Sequence, residues 1–347
     1  MKLTDLTVTP GATAAATPVT AAQNAAPETD LPFYRKLGRT NLTVSCLGLG
    51  GGGHISSEDT LYAFDQGINY FFYSSDLHHY LYSSMSGALK QLCGKRSSVR
   101  EKVVLALVTY MIRTPDVTFT YLYDQFLELG IDYIDIFFWG WIDTHNYHDF
   151  EKCISASNDL RGANSVYQRM VERVFETSER LKKMGVVRYI GASFHDHHLA
   201  QQWLNSPLLD VVMVRHNVAH RTAQRQVFPY LNAQDPQRPG IVTFKSAGMQ
   251  STLWTPPPGL PAGCWQPTVP DFYRYSLSQN SVDVTLAGWT SRDQVDAAIQ
   301  AVQKGKLSPA ELDYLNLYGD LHRGRIQPEE ISRDRLIYQP EIAAMAG

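Results

Sequence analysis

VVLALVTY (residues 103–110) begins the strand–helix–strand series that decides the fold of this chain. TFTYLYDQFLELG (118–130) follows as a helix, because its apolar residues approximate one helical face and Gly130 closes it. The second strand, IDIFFWGW (134–141), is a continuous apolar run of the kind found in strands that are covered on both faces. The series therefore predicts parallel strands with helices packed against them.

The same alternation continues on both sides of this series. Further helices are predicted at 56–67, 82–93 and 166–184. Further strands are predicted at VSCLGLG (44–50), INYFFYSS (68–75), VVRYIGAS (186–193), DVVMVRHN (210–217), GIVTFKS (240–246) and VDVTLAG (282–288). Eight evenly spaced strands, most of them separated by helices, predict an α/β fold of the closed (β/α)₈ TIM barrel type rather than an open doubly wound sheet.

The barrel is predicted to form one domain, residues 32–325, between two tails. Residues 1–31 are rich in Ala, Thr and Pro and carry almost no large apolar side chain, which predicts a disordered N-terminal tail. Residues 326–347 are predicted to form a C-terminal tail. Longer irregular connections are expected at 142–165 and in the Pro-rich stretch 254–267.

The composition argues against several classes of function. The formal net charge is −3 and no cluster of Lys and Arg is present, so the chain lacks the electrostatic footprint of a nucleic-acid or anionic-membrane protein. No segment approaches the roughly 18 apolar residues of a membrane span, and the four cysteines are isolated from one another. We therefore expect a cytoplasmic protein whose partner is a small molecule, and neither a nucleic acid nor a membrane.

Candidate functional groups follow the predicted strands at their carboxyl ends. In such barrels the loops at these ends converge on one mouth, where the chemistry takes place. Asp76, His78, His79 and Tyr80 come directly after the strand at 68–75. A loop of this kind could supply a proton donor and acceptor, and a polar loop that only faces water is the alternative.

Five segments follow one another along the chain, FYRKLGRTNLTVSCLGLGG, GINYFF, YIDIFFWGW, VVRYIGASFHD and VVMVRHNVAHR. In this order they resemble the aldo-keto reductase family over about residues 33–305. The resemblance implies a barrel mouth that holds NADP(H) without a separate dinucleotide domain. It also implies reduction of a carbonyl with a Tyr as the acid, tuned by Lys, Asp and His.

The resemblance fails at the catalytic tetrad. Phe72 stands where the family has Asp, Leu77 where it has Tyr, Val108 where it has Lys and Gly140 where it has His. All four changes remove a titratable group, so the ordinary proton relay is missing and the chain is predicted to be a divergent member. We predict that Asp76, His78 and Tyr80 replace it as catalytic residues.

The cofactor positions implied by the resemblance are kept only in part. Met213 stands where a Gln usually holds the nicotinamide, and His216 where a Tyr usually stacks on it. Arg292 and the helix N-terminus behind it could still bind a phosphate. The predicted NADP(H)-binding residues are Ser193, His216, Lys245, Ser246, Gly288, Ser291 and Arg292.

Large apolar side chains are predicted to line the substrate pocket. Trp139 and Trp141 flank Gly140 and should point the same way from one strand, where they could form the floor of a flat apolar pocket. Barrel packing is the alternative for both indoles. The predicted pocket residues are Phe72, Leu77, Trp139 and Trp141.

Three hypotheses for function remain open on these residues. The first is an aldo-keto-reductase-like oxidoreductase with a non-standard site, which acts with NADP(H) on a small, possibly cyclic or aromatic, carbonyl or imine compound. The second is a non-catalytic scaffold of the same fold that binds a ligand or a protein. The third is a metal-dependent lyase, isomerase or hydrolase. Its ligands would come from His54, Asp76, His78, His195, His197 and His216.

Overall fold

The structure, a computed structural model, covers most of the predicted barrel domain. It describes residues 30–74, 76, 79–110, 112, 114–142, 162–248, 252–261 and 263–331, with 162–171 described by their backbone alone. Most of both predicted tails and most of the predicted loop 142–165 therefore lie outside the described residues.

Strands and helices alternate through these ranges. The strands are β1 (Tyr34–Lys36), β2 (Thr43–Ser45), β3 (Leu47–Leu49), β4 (Tyr70–Ser74), β5 (Val104–Thr109), β6 (Ile134–Trp139), β7 (Val187–Phe194), β8 (Val211–Arg215), β9 (Gly240–Phe244) and β10 (Val284–Ala287). The helices are α1 (Ser57–Asp65), α2 (Ser86–Cys93), α3 (Pro115–Leu129), α4 (Gly162–Lys183), α5 (His197–Trp203), α6 (Ala223–Gln226), α7 (Val269–Leu277), α8 (Arg292–Gln303) and α9 (Pro309–His322).

Eight of the strands close into a parallel barrel in the order β10, β3, β4, β5, β6, β7, β8, β9. The predicted fold class, a (β/α)₈ barrel, is confirmed. Phe72 on β4 pairs with Ala106 on β5, and Ala106 pairs with Ile136 on β6. Because side chains alternate along a strand, this register sends every second residue into the barrel and the others toward the helices.

Local signals in the sequence mark the ends of several helices, and Gly130 ends α3 as predicted. The Ser56 side chain accepts a hydrogen bond from the backbone N–H of Asp59 and caps α1. Gly130 has φ 66°, in the left-handed region that an L side chain rarely adopts, and ends α3. Ser308 and Glu311 form a capping box at the start of α9.

The predicted strand at 44–50 is two strands in the structure. β2 pairs with β1 in an antiparallel hairpin, and β3 belongs to the barrel. The hairpin covers the amino end of the barrel, where the fully buried Leu37 packs on Gly240. A side chain at Gly38 would lie 2.2 Å from the Gly240 backbone nitrogen, so this contact requires glycine.

A second apolar cluster joins α7 and α9 beside the barrel. It includes Phe272, Tyr275, Leu315 and Tyr318. Ile326 and Ile331 pack against it, although the sequence analysis assigned these residues to a tail. None of the helices in the described ranges is long and apolar enough to cross a membrane.

Candidate active site

Aromatic side chains surround the carboxyl end of the barrel. The rings of Tyr110 and Trp141 have centroids 5.5 Å apart, those of Trp141 and His195 6.1 Å apart, and those of His195 and Phe244 5.0 Å apart. Tyr82 joins this set through its hydroxyl, 3.4 Å from that of Tyr110. We call these five residues the aromatic rim. They come from five different loops or strand ends, so the barrel itself brings them together.

Two glycines make room for the tyrosines of the rim. A methyl group at Gly140 would lie 2.3 Å from Cδ1 of Tyr110, and one at Gly51 would lie 2.5 Å from the Tyr82 ring. Gly140 is also the position that the family resemblance assigns to a histidine. A histidine there would collide with Tyr110, so the loss of the family residue and the position of Tyr110 are one structural change.

Asp76 lies beside the tyrosine pair. Its carboxylate accepts hydrogen bonds from the Thr109 hydroxyl and, at 3.0 Å, from the Tyr110 backbone N–H. Both donors sit at the end of β5, so the carboxylate is fixed to the strand next to its own. The predicted catalytic Asp76 therefore does reach the mouth.

Burial keeps both phenols of the rim in the protonated form. Desolvation raises the pKa of Tyr82, which is 7% exposed. It also raises the pKa of Tyr110 well above its usual value, and the neighbouring Tyr82 and Asp76 add to this effect. Both hydroxyls are therefore available as hydrogen-bond donors at neutral pH, but they are weak acids.

Trp141 and His195 form the opposite side of the rim. The Trp141 indole N–H donates to Nε2 of His195 over 2.9 Å. The Trp141 backbone N–H donates to the Ser193 hydroxyl over 3.0 Å, and Trp141 itself has φ 56°. Ser193 thus holds the turn after β6, which is a different role from the predicted contact with a cofactor.

The floor below the rim is apolar. The rings of Phe72 and Phe138 meet at 5.5 Å, and Phe72 also lies 6.2 Å from the Tyr82 ring. Trp139 is not part of this floor. Its indole N–H donates to the Ser178 hydroxyl on α4 over 2.9 Å, and the residue is fully buried. The two tryptophans do not point the same way, because the chain turns at Trp141 after β6 has ended.

The predicted catalytic residues of the loop after β4 differ in their surroundings. Tyr80 is 65% exposed, whereas Asp76 is bound to the end of β5. Nδ1 of His79 lies 2.9 Å from the Ser74 carbonyl, and Nε2 lies 3.8 Å from Glu128. The predicted His78 and Leu77 lie outside the described residues.

Three of the predicted cofactor residues occupy positions that sequence reasoning did not anticipate. His216 is fully buried behind β8, stacked on Tyr275 at 5.4 Å, and burial lowers its pKa to about 3. Ser246 is buried as well, with its hydroxyl 2.5 Å from that of Thr285. Neither side chain faces the mouth. Lys245, with φ 57°, faces a cavity between the loops after β8 and β9.

The remaining cofactor candidates lie together at the start of α8. Gly288 is exposed, and Ser291 precedes the helix without capping it through its side chain. Nε of Arg292 donates a hydrogen bond to the Asp59 carboxylate over 2.7 Å, and the guanidinium also pairs with Glu58. A helix N-terminus with open N–H groups suits a phosphate, but Arg292 would have to leave two carboxylates to join it.

The residues proposed for a metal do not converge. His197 is buried, with Nε2 2.7 Å from the Arg215 carbonyl, while His54 is exposed. Across the ranges that the structure describes, no group of three or more His, Cys, Asp or Glu side chains is placed to hold a metal ion.

Sequence reasoning missed the tyrosine pair and Phe244. Tyr110 is the last residue of a predicted strand, and Tyr82 lies two residues beyond Tyr80, the last predicted catalytic residue. The usable signal was the pair of glycines at strand ends, since a glycine facing a mouth leaves space that a large neighbouring side chain can fill.

Comparisons with known proteins agree with this architecture. Residues 124–249 match the model of the Aldo/keto reductase family. No curated protein sequence matches the chain. Aldo-keto reductase AKR11C1 from Bacillus halodurans, in its holo form, is similar with a TM-score of 0.59 at 20% identity, over 87% of this chain and 99% of that one. The thermostable aldo-keto reductase Tm1743, solved with the inhibitor epalrestat, has a TM-score of 0.56 at 16% identity, over 82% of this chain and 99% of that one.

The solved structures share the fold of this chain, and the family model matches the segment from α3 to the loop after β9. The predicted resemblance is confirmed at this level. The chain has the (β/α)₈ barrel of the aldo-keto reductases, and residues 124–249 match the model of the Aldo/keto reductase family.

Proposed function

We propose that this protein is an NADP(H)-dependent oxidoreductase that reduces a small cyclic or aromatic imine or carbonyl compound at the aromatic rim. The observation that carries the proposal is the Tyr82–Tyr110 pair beside the Asp76 carboxylate, at the end of the barrel where reductase chemistry takes place. A phenol and a carboxylate are two of the four kinds of group in the missing tetrad, here supplied from other positions.

The charge of the rim favours an iminium over a ketone. Asp76 contributes a carboxylate, and aromatic faces attract cations. The family position for lysine is Val108, which is fully buried, so this position supplies no cation that would lower the pKa of the phenols. A protonated imine already carries its positive charge and needs no strong acid to accept hydride, whereas a ketone does.

The cofactor fits the described residues in part. Gly288, Ser291 and the start of α8 would hold a phosphate group, and Arg292 would contribute once released from Glu58 and Asp59. When bound, NADPH supplies hydride. His216 and Ser246 do not fit such a role, since both are buried behind the strands.

The chain's own residues would bind, orient and protonate the substrate. Phe72 and Phe138 provide an apolar floor for a ring, and Trp141 and Phe244 flank it. With a ketone substrate, the Tyr110 hydroxyl, in contact with that of Tyr82, would donate a proton to the developing alkoxide, whereas hydride addition to an iminium gives a neutral amine without any proton transfer. Asp76 would position Tyr110 through its backbone N–H and would favour a cationic substrate.

A non-catalytic scaffold is the second candidate, and one observation favours it. Phe72 is 4% exposed and Tyr82 7% exposed, so aromatic rings occupy much of the space above the barrel. A protein that only binds a flat ligand between such rings would need neither phenol as an acid.

Cofactor binding is the first test. Purified protein is titrated with NADPH while the cofactor fluorescence is followed, and saturable quenching or a spectral shift is expected. If millimolar NADPH produces neither change, the hydride proposal fails and the scaffold remains.

Substrate preference is the second test. An aromatic cyclic iminium and the ketone of the same ring skeleton are compared at saturating NADPH, with Tyr110→Phe, Tyr82→Phe and the exposed Tyr123→Phe as a matched control. We expect Tyr110→Phe to lower kcat for the ketone by about 100-fold and for the iminium far less, with the control unchanged. Equal loss on both substrates would exclude a proton-donor role for the phenol.

A further inference from the structure

We propose that the cavity between the loops after β8 and β9 and the end of α9 binds a small phosphorylated molecule through Arg215, Lys245 and Arg323. The cavity has a volume of about 320 Å³. Small-molecule sites begin at about 300 Å³, so the space suits a small ligand rather than a single solvent ion. The cavity includes Lys245 but none of Gly288, Ser291 and Arg292, the cofactor candidates at the start of α8.

The lining of this cavity is strongly basic. Arg215, Lys245 and Arg323 face it together with His220 and His322. Within the described ranges, none of the three permanent cations makes an ion pair with a carboxylate, although the chain as a whole has a net charge of −3. The closest acidic residue along α9, Asp320, already accepts hydrogen bonds from Arg221 and Arg325.

Two nitrogen atoms around the cavity lack partners. Nε of Arg215 and Nε2 of His322 are buried, and neither has a hydrogen-bond partner among the described residues. Polar atoms that are buried in folded proteins nearly always have such a partner. A guanidinium with an unsatisfied Nε beside a cavity is the arrangement that a phosphate can complete, because it offers two oxygens to the planar fork.

Burial and repulsion between positive charges lower the pKa values of the basic groups in this cavity. Burial lowers the pKa of Arg215, and the positive charge of Arg323 adds to the effect. Burial also lowers the pKa of Lys245, and Arg215 lowers it further. The pKa of His220 falls to about 4 through burial and the nearby arginines. An anion in the cavity would reverse each of these electrostatic effects.

The walls of the cavity are fixed before any ligand binds. Asn217 donates to the Lys245 carbonyl over 2.8 Å and accepts from the His220 N–H over 2.8 Å, which ties the two loops together. Arg221 binds the Asn316 carbonyl and Asp320 on α9, each over 2.6 Å. A methyl group at Gly319 would lie 2.0 Å from the Val218 carbonyl, so α9 packs directly on the loop after β8. A preformed site of this kind loses little free energy to ordering.

Calorimetric titration with inorganic pyrophosphate tests the site. We expect saturable binding of one pyrophosphate per chain, weakened tenfold or more in Arg215→Gln and in Lys245→Gln. The side chain of Arg323 is exposed, so Arg323→Gln keeps the test valid if a variant with a less exposed substitution fails to fold. Arg180→Gln, on the exposed face of α4, is the matched control and should bind as the wild type does. Absence of saturable binding, or equal binding by all variants, would overturn the proposal.

A second titration separates this ligand from the phosphates of the cofactor. Pyrophosphate is titrated again in the presence of saturating NADPH, and unchanged affinity is expected. Competition, seen as a dissociation constant that rises with NADPH concentration, would assign the cavity to the cofactor and overturn a separate site. If the protein binds no NADPH at all, the proposed function fails while the pyrophosphate result stands unaffected.

Discussion

Arginines at the two ends of the barrel have opposite surroundings. At the amino end, Asp135 is 1% exposed and pairs with Arg100 at 2.9 Å and with Arg188 at 3.1 Å. At the same end, Arg238 binds Asp283 through two nitrogens, at 2.6 and 2.8 Å. At the carboxyl end, Arg215 and its neighbours face a cavity and one another, without a carboxylate among the described residues.

The difference separates charges that hold the fold from charges that are available to a ligand. Each buried carboxylate at the amino end also accepts a backbone hydrogen bond, from Leu105 in one case and from Ile241 in the other. These ion pairs therefore join strands to each other. In barrels of this type the amino end serves stability and the carboxyl end serves function, and the two charge patterns follow that division.

The largest expected effect on stability is at the amino end of the barrel, where the arginines are paired with carboxylates. Arg238→Met would leave the Asp283 carboxylate, whose side chain is 4% exposed, with only the Ile241 N–H. We expect the free energy of unfolding to fall by about 3–5 kcal/mol, measured by urea denaturation. Arg180→Met is the control, because its partner Asp116 is 88% exposed, and it should cost less than about 1 kcal/mol. Equal losses in the two variants would contradict the assignment of this end to stability.

The barrel could be predicted from sequence because strand and helix periods are local. The runs at 103–110 and 134–141 are apolar throughout and form β5 and β6 within two residues of the predicted ends. The break at Cys46 could not be predicted, since it depends on the long-range hydrogen bonds between Ser45 and Asn69.

The site was predictable only in part, for a physical reason. The position of Asp76 at the mouth could be predicted, because its place directly after a strand suffices; its catalytic role stays a prediction. The direction of a side chain in a loop depends on contacts from other strands, and this is why Trp139 and His216 proved to face away from the mouth. The ion pairs of Arg292 with α1 likewise join positions more than 200 residues apart.

Acid should lower the free energy of unfolding through His216, which directly follows β8 at the carboxyl end of the barrel. Burial lowers the pKa of His216 to about 3, and the nearby His197 and Arg221 add to this effect. In the unfolded chain its pKa is near 6.5, so between these values the unfolded state binds more protons. The stabilisation is complete above pH 6.5 and is lost as the pH falls toward 3.

His216 alone should therefore reduce the free energy of unfolding by about 2 kcal/mol between pH 8 and pH 5. Urea denaturation of the wild type and of His216→Gln at both pH values measures this contribution. The variant should be less stable at pH 8, because the bonds to Ser276 and Gln224 change, but it should lose less on acidification. Parallel losses in the two proteins would show that this imidazole is not the acid-sensitive group.

A smaller effect is expected where a carboxylate keeps one of its two partners. Arg188→Gln removes one cation from Asp135 but leaves Arg100 at 2.9 Å, and the Arg188 side chain is 41% exposed. The free energy of unfolding should fall by about 1 kcal/mol. A loss as large as that of Arg238→Met would contradict this ranking. It would mean that the contacts of Arg188 with Glu101 and the Tyr133 ring stabilise the amino end more than the exposure of this side chain suggests.

The smallest effect on stability is expected at the carboxyl end of the barrel, from Arg323→Gln in the absence of ligand. Removing this charge relieves repulsion with Arg215, while the end of α9 loses a cation that its dipole favours. These opposite contributions should leave the free energy of unfolding within about 0.5 kcal/mol of the wild type.

Pyrophosphate should then distinguish the proteins, because a ligand stabilises only the folded state that binds it. The wild type should gain stability in millimolar pyrophosphate and Arg323→Gln should gain less, whereas Arg238→Met should gain as much as the wild type. A loss above about 1 kcal/mol in Arg323→Gln without ligand would place this arginine among the charges that hold the fold, and the contrast between the two ends would disappear.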